Sequence, residues 1–247
     1  MPKKFRDISL IAMPDKFITI ACDSCAGVGA LDCDIVKSSG YFAGYRTAFV
    51  PLIETLAIGA KPLLLTNTLS VSGDDYGAQI ICGIKDAARD AGIFDANAIT
   101  GSTEENFKIA VTSLGVTVIG EMPKNTLPKA ITHDYSLYLA GLPKVGSDVI
   151  ACPDAILSFD AIKYLKASKL VHDVLPVGSK GIAFETTQMC DVLGAHFKPD
   201  KHIPIDLFAS AGPATCALFA VLENVQDLFS HIDIPIHKLG TLISKKS

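Results

Sequence analysis

The sequence lacks the features that define several large classes of protein. It contains no G-x-x-x-x-G-K-[ST] segment, so any ATP chemistry must belong to a fold without a Walker A loop. No serine lies in a G-x-S-x-G context, and no Ser–His–Asp or Cys–His set can be assigned. Apolar runs such as Ile80–Ile84 are too short to span a bilayer. We therefore exclude P-loop enzymes and α/β-hydrolases, and we expect no membrane partner.

Charge of either sign is also scarce. Charged residues make up 19% of the chain, hydrophobic residues 49%, and the net charge is −4, so we expect a folded protein with no nucleic-acid partner. The seven cysteines are an odd number, and no signal-peptide pattern is visible. These observations favour a cytoplasmic location and free thiols.

The segment "IACDSCAGVGALDCDIV" (residues 20–36) invites two interpretations as a metal site. Its cysteines, Cys22, Cys25 and Cys33, suggest zinc, whereas its aspartates, Asp23, Asp32 and Asp34, suggest magnesium. A single C-x-x-C without a second pair is a weak zinc signal. The cysteines are therefore better interpreted as packing residues.

The order of predicted elements indicates an α+β fold. Strands are predicted at Ile8–Met13 and Phe17–Asp23, then a helix over residues 45–60, a strand at Leu63–Val71 and a helix ended by Gly92. A strand running into "TGS", a longer strand or strand pair over residues 107–122, and a linker over residues 123–128 follow. Further strands and helices are predicted beyond it, including a helix around Asp154–Leu165 and strands in "YSLYLAGL", "LVHDVLPVG" and "TCALFAVL".

Three acids in the first half could hold a hard cation. Asp7 precedes the first predicted strand, Asp23 ends the second, and Glu54 lies beside the apolar stripe of the first helix. Magnesium usually takes one or two carboxylates together with phosphate oxygens and water. The alternatives are a turn residue, a loop cap and a solvent-facing helix acid, respectively.

Two later segments are ambiguous between binding and local structure. Gly101, Ser102 and Thr103 could hold phosphate through N–H and hydroxyl groups, or Ser102 could cap a helical turn in a capping box with Glu105. His172 and Asp173 are neighbours on a predicted strand, so they point to opposite faces and cannot form a dyad by themselves.

The segment "PLIETLAIGAKPLLLTNTLS" (residues 51–70) resembles one shared by AIR synthase, thiamine-monophosphate kinase, selenophosphate synthetase and a hydrogenase-maturation dehydratase. Asp7 falls where the thiamine-monophosphate kinases have "GDDAA", Asp23 where they have "T-x-D", and Glu54 where the family has the acid of "SDIAAMGA". "TGST" (residues 100–103) takes the place of "GGDT", and "HDVLPVGSKG" (residues 172–181) resembles "H-D-[IV]-[ST]-[DG]-GG". "HKLGTLI" resembles the family's closing strand.

The chain departs from that pattern at several positions. Ser102 replaces a metal-binding acid, Glu54 replaces Asp, and Pro176–Val177 interrupts the second glycine motif, leaving Gly178 and Gly181. The "G-x-HF" histidine of the thiamine-monophosphate kinases is absent. The run "ACDSCAGVG…VK…GY…R-x-A…IETLAIGA" is most similar to the α-ribazole kinases, a branch that serves cobamide lower-ligand salvage.

The resemblance implies a fold, a site and a function. The implied fold has an N-terminal ferredoxin-like half (residues 1–125) and a C-terminal α/β half (residues 130–247), paired as a homodimer through a barrel of N-terminal strands. The implied function is ATP-dependent phosphorylation of the 5′-hydroxyl of a ribosyl heterocycle such as α-ribazole. A thiamine-monophosphate kinase-like enzyme, an AIR synthase-like enzyme and a non-catalytic nucleotide-binding regulator are the alternatives. The implied residues are metal ligands (Asp7, Asp23, Glu54 for Mg²⁺), groups acting on the transferred phosphoryl (Asp23, Lys37, Arg46) and contacts to ATP or acceptor (Gly101, Ser102, Thr103, Asp173, Gly178, Gly181).

Overall fold

The computed structural model describes residues 2–222 and 226–245. Within them, thirteen strands and six α-helices follow one another along two compact units. The strands are β1 (Lys3–Phe5), β2 (Ile8–Ala12), β3 (Lys16–Ala26), β4 (Val28–Gly29), β5 (Val36–Lys37), β6 (Lys61–Leu69), β7 (Ile99–Thr103), β8 (Ser113–Pro123), β9 (Tyr135–Gly141), β10 (Val171–Pro176), β11 (Ala195–Pro199), β12 (Cys216–Val221) and β13 (Ile236–Ser244). The helices are α1 (Gly40–Ala57), α2 (Asp75–Ala91), α3 (Ser147–Ala151), α4 (Phe159–Ala167), α5 (Gly181–Leu193) and α6 (Gln226–Phe229).

The first unit contains a six-stranded sheet with the order β1-β2-β3-β8-β6-β7. Its neighbouring strands are antiparallel except for β6 and β7, which are parallel. Side chains of β8 alternate between buried and half-buried along the strand, as expected for a sheet with one covered face. The two longest strands, β3 and β8, pair over their whole length and form the centre of this sheet.

Helices α1 and α2 of this unit begin and end at residues suited to those positions. The hydroxyl of Ser39 accepts a hydrogen bond from the Phe42 N–H at the start of α1. The carboxylate of Asp74 accepts from the N–H groups of Tyr76 and Gly77 at the start of α2, and Gly92 ends α2 in the left-handed conformation, with φ 104°. The predicted Gly92 cap is thereby confirmed.

The second unit contains a five-stranded antiparallel sheet with the order β10-β12-β9-β13-β11. Strand β12, which lies between β10 and β9, is buried along its entire length, which explains its continuous apolar sequence. Helix α5 contributes Met189 and Leu193 to a core that also contains Leu137, Leu139 and Leu218. None of the helices in the described residues combines the length and apolarity needed to cross a membrane.

Several sequence predictions about elements need correction. Strand β3 does not end at Asp23 but continues to Ala26, because β8 pairs with it residue by residue up to Ser113. Strand β8 begins at Ser113 rather than near Phe107, and the helix expected from Asp154 begins at Phe159, after the N-cap Ser158. Strands β1 and β11 were not predicted. Both are short, and their recognition depends on pairing with partners elsewhere in the chain.

Candidate active site

A row of four residues crosses the sheet of the first unit. Asp23 on β3 is paired with Val116 on β8, which is also paired with Asn67 on β6, and Asn67 is paired with Gly101 on β7. Directly paired residues project to the same face of a sheet. Val116 is 1% exposed and Asn67 is 6% exposed, so this row lies on the buried face. It places a carboxylate and an amide in an otherwise apolar layer.

Burial sets the electrostatics of Asp23. Desolvation raises the pKa of its carboxyl group, and a hydrogen bond with the Ser24 backbone opposes the increase only in part. A half-buried carboxylate whose ionised form is destabilised in this way is a suitable ligand for a cation, because the positive charge replaces the solvation that the carboxylate loses on burial. The structure thus shows that the Asp23 carboxyl group is desolvated, which its position in the sequence did not reveal.

Asn67 was missed by the sequence reasoning. Its Nδ2 donates to the Thr100 carbonyl oxygen at 3.1 Å. A Cβ atom on Gly101 would lie 2.4 Å from the Asn67 side chain, so only glycine fits beside this amide. The signal available in the sequence was an amide between two threonines near the end of the predicted strand "KPLLLTNTL".

The segment Gly101–Thr103 forms the exposed edge strand β7, and no helix follows it. The capping box between Ser102 and Glu105 is therefore wrong. Instead, Glu105 Oε1 accepts hydrogen bonds from the Thr103 hydroxyl and from the Gly73 N–H, the latter at 2.8 Å. These hydrogen bonds lower the pKa of Glu105. They tie the end of β7 to the loop that precedes α2.

The glycine loop after β3 is closed on itself by the short parallel pair β4–β5. Lys37 lies on β5, and its Nζ donates to the carbonyl oxygens of Leu31 at 2.7 Å and Asp32 at 3.2 Å. In this conformation the Lys37 ammonium group is bound to two carbonyl oxygens of its own loop. To bind a phosphoryl group, the ammonium group would have to release these carbonyl oxygens.

The other acids and cations predicted in the first unit occupy different elements. Asp7 is exposed in the turn between β1 and β2. Ser9 on β2 pairs with Ile20 on β3, and extending this register by two residues would put Asp7 opposite Cys22. Glu54 is half-buried on α1, with its Oε2 atom shielded from solvent. Arg46, on the same helix, lies 4.1 Å over the Phe49 ring, and burial lowers its pKa to about 10. It therefore remains cationic at neutral pH.

The residues predicted in the second unit lie on β10 and in the turn that leads into α5. Asp173 is 2% exposed on β10. The Gly178 carbonyl oxygen accepts from the N–H groups of Gly181 and Ala211, both at 3.2 Å. Gly181 has φ 81°, and a Cβ there would lie 2.9 Å from the Ala209 carbonyl oxygen, so glycine is required at this turn.

The cysteines do not form a metal site. Cys22 and Cys25 are three positions apart on β3 and so point to opposite faces, and both are free thiols. Across the described ranges, no group of three or more His, Cys, Asp or Glu side chains could hold a metal ion. The assignment of Asp7, Asp23 and Glu54 to magnesium stays a prediction.

The first unit matches a known family model. Residues 7–122 match the family model described as AIR synthase related protein, N-terminal domain. No curated protein matches the chain. The match covers most of the first unit, and the predicted α+β, AIR synthase-like fold of the chain is confirmed.

Solved structures extend this likeness over nearly the whole chain. A thiamine-monophosphate kinase from Stenotrophomonas maltophilia is similar with a TM-score of 0.64 and 14% identity, over 97% of this chain and 89% of the other. The protein AaThiL, complexed with AMPPCP and TMP, gives a TM-score of 0.66 and 12% identity, over 96% and 84%. Phosphoribosylformylglycinamidine synthase II from Thermotoga maritima gives 0.60 and 15%, but this chain spans only 36% of its length.

Proposed function

We propose that this chain is an ATP-dependent kinase that phosphorylates the 5′-hydroxyl of a ribosyl heterocycle, with α-ribazole as the acceptor in cobamide lower-ligand salvage. The observation that carries the proposal is the desolvated Asp23 carboxylate, paired through Val116 with the Asn67–Gly101 contact. The similarity to a thiamine-monophosphate kinase over 89% of its length supports a kinase of comparable size. The α-ribazole assignment rests on the sequence resemblance.

The donor set fits magnesium, because the carboxylates of Asp7, Asp23 and Glu54 are hard oxygen ligands. Bound Mg²⁺ would neutralise charge on the β- and γ-phosphates of ATP. A bound cation would offset the desolvation of Asp23, which raises the pKa of its carboxyl group. One carboxylate together with phosphate oxygens and water is a common arrangement for this ion, so the three acids need not converge on a single point.

The remaining predicted residues would bind and orient the reactants. Gly101–Thr103 on the exposed edge strand would offer hydroxyl and N–H groups to phosphate oxygens. Lys37 or Arg46 would stabilise charge on the transferred group, and Asp173 with the turn Gly178–Gly181 would contact nucleotide or acceptor. In the reaction, the acceptor oxygen bonds to the γ-phosphorus while the bond to the bridging oxygen of ADP breaks. The hydroxyl proton leaves to solvent or phosphate.

The experiment that tests this function is ADP release by purified protein with Mg²⁺–ATP and α-ribazole, thiamine monophosphate or no acceptor. We expect release that depends on α-ribazole, with a product heavier by one phosphoryl group. ADP release that depends on thiamine monophosphate alone would show that this compound, and not α-ribazole, is the acceptor. Release of free phosphate without a phosphorylated acceptor would indicate an AIR synthase-like reaction. ATP binding with no turnover would indicate a nucleotide-binding regulator.

A homodimer is the assembly we propose for this enzyme. The face of the first unit's sheet opposite its core carries exposed or half-buried apolar residues, including Ile11, Ile18, Ile20 and Ile119. A second copy would cover such a face. We expect sedimentation equilibrium to give twice the chain mass at micromolar concentration, and Ile20→Asp to lower it towards one chain. Wild-type protein that sediments as a monomer would contradict the assembly.

A further inference from the structure

A buried hydrogen-bonded cluster underlies the glycine loop at residues 27–37. Asp34 is 5% exposed. Its Oδ1 accepts from the Thr112 N–H at 2.7 Å, and its Oδ2 accepts from the Thr112 hydroxyl at 2.7 Å and from the Leu31 N–H at 2.8 Å. Because both oxygens are occupied by protein donors, Asp34 serves structure here and not the magnesium site that its sequence neighbourhood suggested.

Tyr76 extends this cluster from the first turn of α2. Its hydroxyl lies 2.7 Å from the Thr112 hydroxyl and accepts from the Ala30 N–H at 3.0 Å. Since Thr112 donates its only hydroxyl hydrogen to Asp34, Tyr76 is the donor to Thr112. The result is a directed chain of hydrogen bonds from Ala30 through Tyr76 and Thr112 to the carboxylate, and such chains strengthen their members.

Gly29 closes the cluster from the loop side. A Cβ atom at Gly29 would lie 2.3 Å from the hydroxyl oxygens of both Thr112 and Tyr76, and 2.6 Å from Asp34 Oδ2. The loop backbone therefore rests directly on the three polar side chains. Its glycine is explained by this close approach, as well as by its φ of 159°.

The cluster joins two segments with different predicted roles. On one side is the loop that leaves β3 three residues after Asp23 and carries Lys37. On the other side is the segment between β7 and β8, which follows the predicted phosphate-binding residues Gly101–Thr103 and contains Thr112. Two backbone hydrogen bonds reinforce the junction, from the Gly27 N–H to the Thr112 carbonyl and from the Cys33 N–H to the Ala110 carbonyl, both at 2.9 Å.

We propose that Asp34, Thr112 and Tyr76 are positioning residues that hold the glycine loop, which leaves β3 after Asp23 and carries Lys37, in register with the proposed phosphate-binding segment Gly101–Thr103. This inference rests on the proposed kinase function. Phosphoryl transfer depends on in-line alignment of acceptor and γ-phosphate, and small displacements of a positioned group cost large factors in rate. Strand β7 is held by its pairing with β6 and not by the cluster, so we expect ATP binding to be independent of the cluster.

The test uses substitutions that remove one hydroxyl group and little else. We expect Tyr76→Phe and Thr112→Val to lower kcat/KM for the acceptor about three- to tenfold, the range for one lost hydrogen bond. The Kd for ATP without acceptor should stay within about twofold. Thr112→Ser retains the hydroxyl and should restore most of the activity. Tyr41→Phe is the matched control, because its hydroxyl donates to the half-buried Asp86 carboxylate at 3.1 Å, away from the cluster.

Hydrogen exchange of the amides at residues 27–37 provides a readout that does not need turnover. We expect faster exchange there in Tyr76→Phe than in wild type or Tyr41→Phe. The inference would be overturned if these variants had a lowered melting temperature but an unchanged kcat/KM for the acceptor. It would also be overturned if their affinity for ATP fell by the same factor as that kcat/KM. If wild type phosphorylates no acceptor, the proposed function fails by itself. The positioning role is then upheld by faster exchange in residues 27–37 and refuted by unchanged exchange.

Discussion

Replacing Asp23 by Asn should lower turnover by about two orders of magnitude or more while leaving the protein at least as stable as wild type. The loss of activity follows from removing the negative charge that would hold the metal ion, which in turn stabilises the transferring phosphoryl group, and the factor is typical of lost electrostatic stabilisation. The stability follows from burial, because desolvation raises the pKa of Asp23 and so disfavours its ionised form in the folded protein. The neutral amide avoids that cost.

The pH dependence of stability has a definite sign. Desolvation raises the folded-state pKa of Asp23 above the ordinary value of an aspartate, so the native state binds the proton more tightly than the unfolded chain does. Wild type therefore gains stability relative to Asp23→Asn as the pH falls through that raised pKa, and loses it again as the pH rises. Thermal unfolding of both proteins between about pH 4 and 7 measures this difference.

Two comparisons make the Asp23 prediction specific. Mg²⁺–ATP should raise the melting temperature of wild type and raise that of Asp23→Asn less, because ligand binding stabilises only the state that binds it. Asp15→Asn, in an exposed turn, is the control and should behave as wild type. If Asp23→Asn turned over as fast as wild type, Asp23 would not be a ligand of the catalytic metal ion. Marked unfolding of that variant would refute the account of its burial.

Replacing Gly83 by Ala should destabilise the fold strongly, although alanine favours helices. A Cβ at Gly83 would lie 2.1 Å from the Tyr41 carbonyl oxygen and 2.8 Å from the Tyr45 backbone nitrogen. Backbone atoms of α1 cannot rotate away, so the two helices must separate. Overpacking of this kind costs about 1–3 kcal/mol or more, and we expect the upper part of that range despite the roughly 1 kcal/mol gained in helix propensity.

Thermal and urea unfolding of Gly83→Ala measure this effect, with an expected decrease in melting temperature of roughly 5–10 °C for a chain of this size. Cys82→Ala is the control. It introduces alanine at the adjacent, exposed position of α2 and should change the melting temperature little. Gly44 makes the reciprocal approach, since a Cβ there would lie 2.1 Å from the Ile80 carbonyl oxygen. A Gly83→Ala variant as stable as wild type would show that α1 and α2 separate at negligible cost.

The sequence supplied candidates for the site, but it could not show how they are arranged. Asp23, Gly101 and Thr103 were selected as candidates because acids, glycines and hydroxyls near predicted strand ends stand out locally, and their roles stay predictions. Asn67 was missed, since its importance depends on pairing with strands roughly 35 and 50 residues away in the chain. Thr112 was missed because its partner Asp34 lies 78 residues earlier.

The sequence by itself determined the α+β class, the type of most strands and helices, and the resemblance to the AIR synthase-like superfamily. Local periodicity, caps such as Gly92 and short motifs carry that information within a few residues. Only the tertiary structure decided that β3 continues past Asp23, that Asp34 is a structural acceptor, and that Gly29, Gly83 and Gly101 are glycines because other groups approach them closely. Those features depend on strand register and packing, which bring distant segments into contact and which local sequence preferences do not specify.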